Sequence, residues 1–214
     1  MIYVEEKYNI TPASPETLDK FVKFAQEHFV PTSERLGARL IAAWSNYVEW
    51  YCQVIQIMEF DNFNALKEFR VKSAQDSEWG EYQEFLEEIA PERTSRLLEP
   101  LGPVPPDVLH EAIAKSQKKP LNVYGLAILN VLADHMAEFK SGLSNTYKNL
   151  PIIASWRPIA GYPNEVIDLW ATRLLPRKYT PATNFDKQFF RPLRKIAPKE
   201  RLVTVFSLPH SPLR

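Results

Sequence analysis

The sequence predicts an α+β chain of two fused ferredoxin-like repeats, each βαββαβ, which pair within one polypeptide to close an α/β barrel. Three observations carry this prediction. Leu40-Ile41-Ala42-Ala43-Trp44 and Val54-Ile55-Gln56-Ile57-Met58 recur as Ile152-Ile153-Ala154-Ser155-Trp156 and Val166-Ile167-Asp168-Leu169-Trp170, both at an offset of 112 residues without a gap. An apolar run, a polar turn and a second apolar run make a hairpin pattern, and its return at domain-scale spacing marks a duplicated folding unit. Helical periodicity flanks the hairpins, which gives the strand-helix-hairpin-helix-strand order. A lone unit of this kind leaves one sheet face bare, and two bare faces bury each other.

In chain order, Ile2 to Ile10 reads as a first strand, interrupted by Glu5, Glu6 and Lys7. Ser14 caps a helix with Pro15 in its first turn. Leu18, Phe21, Val22, Ala25 and Phe29 then recur at helical spacing, Pro31 marks a kink, and Gly37 suits the left-handed cap. The first hairpin spans Arg39 to Phe60, and two helices follow, divided near Gln75-Asp76-Ser77. Pro91 stops the second of these before a strand from Arg93 to Glu99. Four prolines between Pro100 and Pro106 mark the boundary between repeats. The expected domains are 1–104, a Pro-rich linker with a short helix over 105–121, and a diverged repeat over 122–214. That second repeat reads as strand Asn122 to Leu129, helix near Leu132 to Asn149 and hairpin Pro151 to Thr172. A loop with Pro176 and Pro181, a helix near Asn184 to Ile196 weakened by Pro192, and strand Arg201 to Leu208 complete it.

Composition narrows the class. A chain that is 45% hydrophobic and 12% aromatic can bury a core, unlike a disordered one. No apolar run reaches the ~18 residues of a membrane helix, no secretory leader is visible, and Cys52 has no internal partner, so the expectation is a cytoplasmic protein. The zero net charge divides: 10 basic against 18 acidic residues through Val104, then 16 against 8. Attraction between two halves explains this better than a nucleic-acid surface, because few aromatics interleave with the basic residues. His28, His110, His135 and His210 show no metal-ligand spacing, and no Gly-rich phosphate loop is present, so no metal and no cofactor is expected.

The candidate site comes from the strands. Period-two alternation places Val54, Gln56 and Met58 on one face, and Val166, Asp168 and Trp170 on the equivalent face of the second repeat. If these face the barrel cavity, Asp168 is a carboxylate walled by Trp170, Trp156 and Trp44. Its burial would raise its pKa and suit it to acid/base work, with Gln56 orienting the ligand. Glu6 and Tyr8 share a face of the first strand and offer a second carboxylate and a phenol, with Glu5 and Lys7 replacing them if the strand faces the other way. Charged residues of this strand are expected to be exposed. Tyr3 and Tyr124 align between repeats as packing residues.

The first hundred residues resemble the NIPSNAP family of the dimeric α/β-barrel superfamily. The resemblance rests on Tyr3 to Tyr8, Leu18-Asp19-Lys20-Phe21, His28-Phe29-Val30-Pro31, Arg35-Leu36-Gly37, Trp44, Val54 to Phe60, Trp79, and Ser95-Arg96-Leu97-Leu98-Glu99-Pro100. It implies a fused ferredoxin-like pair; its superfamily holds cofactor-free oxygenases, isomerases, dehydratases and haem enzymes, among which fold alone cannot choose. The expected function is binding of a small, largely apolar molecule in a barrel or inter-sheet cavity, with cofactor-free proton transfer or oxygenation. On that reading Asp168 and Glu6 are catalytic, and Trp44, Gln56, Met58, Trp156, Trp170 and Tyr8 bind substrate. The alternative is a non-catalytic interaction or scaffold protein; neither reading involves nucleic acid or membrane, and a homo-oligomer is compatible with both.

Overall fold

The computed structural model describes residues 1–47, 50–172 and 190–214. Its chain divides into two units, Met1–Leu98 with Phe206–Arg214, and Glu99–Val205. The strand order is that of a closed barrel, β1-β3-β2-β8-β5-β7-β6-β4, which bears out the predicted fold class.

In the first unit, β1 (Ile2–Asn9), β2 (Arg39–Asn46), β3 (Gln53–Phe60) and β4 (Glu92–Pro100) lie in the order β4-β1-β3-β2, all antiparallel. Helices α1 (Pro15–Phe24), α2 (Val30–Leu36), α3 (Phe63–Ser73) and α4 (Ser77–Ile89) complete the ferredoxin-like order. Ser14 caps α1 by accepting from the Thr17 amide, and Asp76 caps α4 by accepting from Trp79. Between α1 and α2, Ala25–Phe29 forms a π-helical turn. Pro31 follows directly in α2; the helical angles run on without a break and the Val30 amide donates to the Ala25 carbonyl, so the widened turn takes the place of the expected kink. Phe21 and Tyr8 rings meet at 5.6 Å and Phe60 and Phe69 rings at 5.2 Å, which puts α1 and α3 against one face of the sheet.

The second unit repeats this plan. Strands β5 (Val123–Asn130), β6 (Ile152–Pro158), β7 (Glu165–Trp170) and β8 (Lys199–Ser207) follow the order β8-β5-β7-β6. Its helices are α5 (Pro106–Lys118), α6 (Met136–Thr146) and α7 (Arg191–Ile196), with Pro192 in the first turn of α7. Phe139 and Leu143 of α6 and Ile196 of α7 join Ile152, Val166 and Trp170 of the sheet in one buried cluster. The Pro176 and Pro181 loop and the helix start near Asn184 lie outside the described residues.

The duplication extends to an irregularity. The β2–β3 ladder slips between Leu40 and Ala42, and the β6–β7 ladder slips between Ile152 and Ala154, the same positions at the 112-residue offset. Trp44 stands opposite Ile55 and Trp156 opposite Ile167, so the two tryptophans hold equivalent places. Both are about 1% exposed or less, as are Ile57, Leu169 and Ala127, so both faces of each sheet are buried. Residues after β4 and β8 continue the plan too. Leu208 donates to the Ala43 carbonyl in the first unit, as Leu101 donates to that of Ser155 in the second. This pairing explains why the boundary between units falls at Leu98 and not within the Pro-rich run of residues 100–106.

Candidate functional site

Gln56 of β3 and Asp168 of β7 occupy the same ladder position in their units. Gln56 stands opposite Ala43 and Glu6, and Asp168 stands opposite Ser155 and Ala127. Both are buried, at 0% and 4% exposure. Both face the helices, which corrects the expectation that this row looks into the barrel cavity. Period-two alternation sorts residues into two faces without saying which face the helices cover. The opposite face of β1 and β3 carries Tyr3, Glu5, Lys7, Ile55 and Ile57.

In the first unit the slot between sheet and helices is filled by a chain of polar side chains. Tyr8 Oη donates to Glu6 Oε2. Tyr82 Oη, from α4, lies 3.5 Å from both Tyr8 Oη and Gln56 Oε1. Gln56 Nε2 reaches His210 Nε2 at 3.2 Å, and the His210 ring lies 6.2 Å from Phe21. Burial raises the Glu6 carboxyl pKa, opposed by the Tyr8 hydrogen bond and by Arg93 and Arg70. Burial and the neighbouring Glu6 charge push the Tyr8 phenol far above its ordinary range, and burial pulls His210 down to about 4. Neutral His210 accepts from Gln56 at Nε2, leaving a buried Nδ1 with no partner among the described residues. This network holds three of the sequence-predicted residues, Glu6, Tyr8 and Gln56. It also holds Tyr82 and His210, which sequence reasoning missed. Met58 shares the face and is buried, whereas Trp44 lies on the other face of the same sheet.

Charged residues of β1 are less exposed than expected. Glu5 is 2% exposed and paired to Arg96 of β4, with Lys7 Nζ at 3.8 Å. Such a carboxylate is tolerated inside because its charge is matched and hydrogen-bonded. Glu6 is half-buried.

In the second unit the matching slot is apolar and hollow. Ala127 stands where the first unit has Glu6, opposite Asp168 as Glu6 is opposite Gln56, and Leu129 stands where it has Tyr8, opposite Val166 as Tyr8 is opposite Val54. With those side chains shortened or made apolar, a cavity of about 40 Å³ opens. Asp168 and Trp170 line it with Leu129, Phe139, Leu143 and Leu193, and so do the charged residues Arg194 and Glu200. That is room for a water molecule or a ligand fragment of similar size. Ser155 Oγ donates to Asp168 Oδ1 at 2.6 Å. Burial and the nearby Glu200 charge outweigh that hydrogen bond and raise the Asp168 carboxyl to about 7. Trp170 Nε1 is buried with no hydrogen-bond partner among the described residues, and its ring stacks on Phe190 at 6.4 Å, over which Arg194 lies at 5.3 Å. Trp156 faces away from this slot, with Ile167. Asp168 and Glu6, the two carboxyl groups named from the sequence, thus sit in separate units. Ser155 was legible in principle, as a polar residue at the offset from Ala43 in an otherwise apolar strand.

The described residues contain no group of three or more His, Cys, Asp or Glu able to hold a metal ion, and no helix long and apolar enough to cross a membrane. Residues 6–103 match the NIPSNAP family model. Two proteins described as a "putative monooxygenase", from Lactobacillus acidophilus NCFM and Fusobacterium nucleatum subsp. nucleatum, superpose on 96% and 97% of this chain. The matches cover 93% and 92% of their own lengths, at 15% and 10% identity, with TM-scores of 0.59 and 0.61. A structure described as an anthrone oxidase-like protein covers 100% of this chain and 94% of its own, at 10% identity with a TM-score of 0.51. At such identities the likeness is one of fold. No curated protein matches the chain in sequence.

Proposed function

We propose that the function lies in the second repeat, outside residues 6–103, which match the NIPSNAP family model. There Asp168 binds a small, largely apolar molecule and moves a proton to or from it, alone or as the opening step of an oxygenation. The observation that carries this reading is the contrast between equivalent slots. One is closed by Glu6, Tyr8, Tyr82, Gln56 and His210, which bond to one another. The other keeps a carboxyl with a pKa near 7 at the wall of an apolar cavity. A group that titrates near neutrality both accepts and returns a proton readily. Ser155 fixes one carboxyl oxygen, which leaves Oδ2 as the reacting atom. Apolar walls exclude water and keep the proton from being lost to solvent.

The test is hydrogen–deuterium exchange of small enolisable ketones such as acetone, whose reacting methyl group is a fragment of the size this cavity admits, followed by NMR in heavy water. Wild-type protein should accelerate exchange of at least one ketone, with a rate that rises through about pH 7 as Asp168 ionises. Asp168→Asn should return the rate to background, a loss of about 10²-fold or more. Equal rates in the two proteins would remove Asp168 from the role.

A further inference from the structure

Two openings in the second unit meet at one side chain. The Asp168 cavity and an outer groove of about 280 Å³ between α6 and α7 are both lined by Leu193, itself half-buried. Ser141, Gly142 and Asn145 wall the groove from α6, and Pro192 and Ile196 from α7. Gly142 leaves room for this position of the Leu193 side chain, whose free end, Cδ2, would lie 2.8 Å from a Cβ at Gly142. Two carbon atoms do not tolerate that separation. Glycine inside a helix costs stability relative to alanine, so the position asks for a reason, and the close passage of Leu193 provides one.

We infer that Leu193 is the partition between the α6–α7 groove and the Asp168 cavity, and that the groove is both the ligand's route inward and the seat of its non-reacting part. The two compartments differ in chemistry. The side chains of Ser141 and Asn145 are exposed in the groove and make no hydrogen bond to another described residue, and a hydroxyl and an amide each donate and accept. Past Leu193 the walls are Leu129, Phe139 and Leu143. Glu138 at the groove's edge opposes an anionic ligand. The ligand class that fits is an uncharged amphipathic molecule with a short apolar reacting end and a hydroxyl- or carbonyl-bearing body. A leucine side chain changes rotamer quickly, so passage needs no movement of the helices. The ligand class rests on the proposed role of Asp168, but the route does not.

The probe for the route is diisopropylcarbodiimide, an apolar reagent for protonated carboxyl groups. The carboxyl oxygen bonds to the central carbon of N=C=N while its proton moves to nitrogen, and the adduct rearranges to a stable N-acylurea. The labelling rate of Asp168 is read by peptide mass spectrometry below pH 7, where the group keeps its proton. Leu193→Ala should label about tenfold faster than wild type, as expected when a local opening step is removed. Leu150→Ala is the control, since Leu150 lines the cavity but not the groove. It should stay within about twofold of wild type. Equal acceleration by both variants, or none by Leu193→Ala, overturns the assignment. If either alanine variant lacks a cooperative melt, Leu193→Val and Leu150→Val are compared by the same criterion. Labelling requires no natural ligand, so a failed ketone exchange with a positive Leu193 result would discard the chemistry and retain the route.

Discussion

At Asp168 the cost of ionising a carboxyl away from water sets the behaviour of its slot. Its folded pKa of about 7 lies above the ~3.9 of an unfolded aspartate, so between those values the folded chain holds a proton that the unfolded chain has released. Stability from this group is therefore full below about pH 4 and falls as pH rises to about 7, by about 4 kcal/mol at most. His210 works in the opposite sense. Its folded pKa of about 4 lies below the unfolded value of ~6.5, so its contribution is full above that value and falls on acidification, by about 3 kcal/mol at most. The two slopes oppose each other across one pH window. Asp168→Asn should remove one of them, so the variant's melting temperature should drop between about pH 7 and pH 4.5 more steeply than that of wild type. Parallel curves would mean that Asp168 has no raised pKa. The Asp168 and Gln56 rows were legible in the sequence because a polar residue interrupted an apolar strand twice at one offset. Tyr82 and His210 were not, since one is a buried position on a face of α4 and the other lies between Pro209 and Pro212. Nothing local to either residue announces a hydrogen bond to a strand far away in sequence.

At the scale of elements, the hairpins and helices could be read from periodicity because each buries one face. Boundaries set by backbone geometry were harder to read. The shared slip after Leu40 and Ile152 reverses no side chain that the sequence would betray, because every residue around it is apolar. The π-helical turn before Pro31 was foreseen only as a kink. Gly37 was legible, because a residue ending α2 with φ of 98° is in the left-handed region that glycine enters freely. A Cβ there would meet nothing within 4 Å, so the cost of Gly37→Ala is conformational alone. The variant should lose about 1 kcal/mol of stability in a urea melt, with an unchanged slope. A loss several times larger would mean that the turn also makes contacts that the alanine disturbs.

For the whole molecule, internal repetition predicted a pair of βαββαβ units and a closed strand order, and both are present. The sequence did not disclose how the segments after β4 and β8 are shared out between units, because that depends on pairings between residues far apart in the chain. Residues 208–214 are anchored on β2 by Leu208 and Leu213 donating to the carbonyls of Ala43 and Ile41, and by the Ala43 amide donating to Ser211 Oγ. Leu208 and Leu213 are buried there, each contributing about 2 kcal/mol of apolar burial. Removing residues 208–214 should abolish amide-exchange protection at Ala43 while β7 amides keep theirs; an even loss across both units would contradict that. The same anchoring has a consequence during synthesis. Residues 206–214 leave the ribosome more than a hundred positions after Leu98, the last residue of the first unit's main segment. At about 5–20 residues per second the interval is roughly 5–20 seconds. Through that interval the nascent NIPSNAP domain carries β2 without its cover, a period in which a chaperone or a stray strand can reach it.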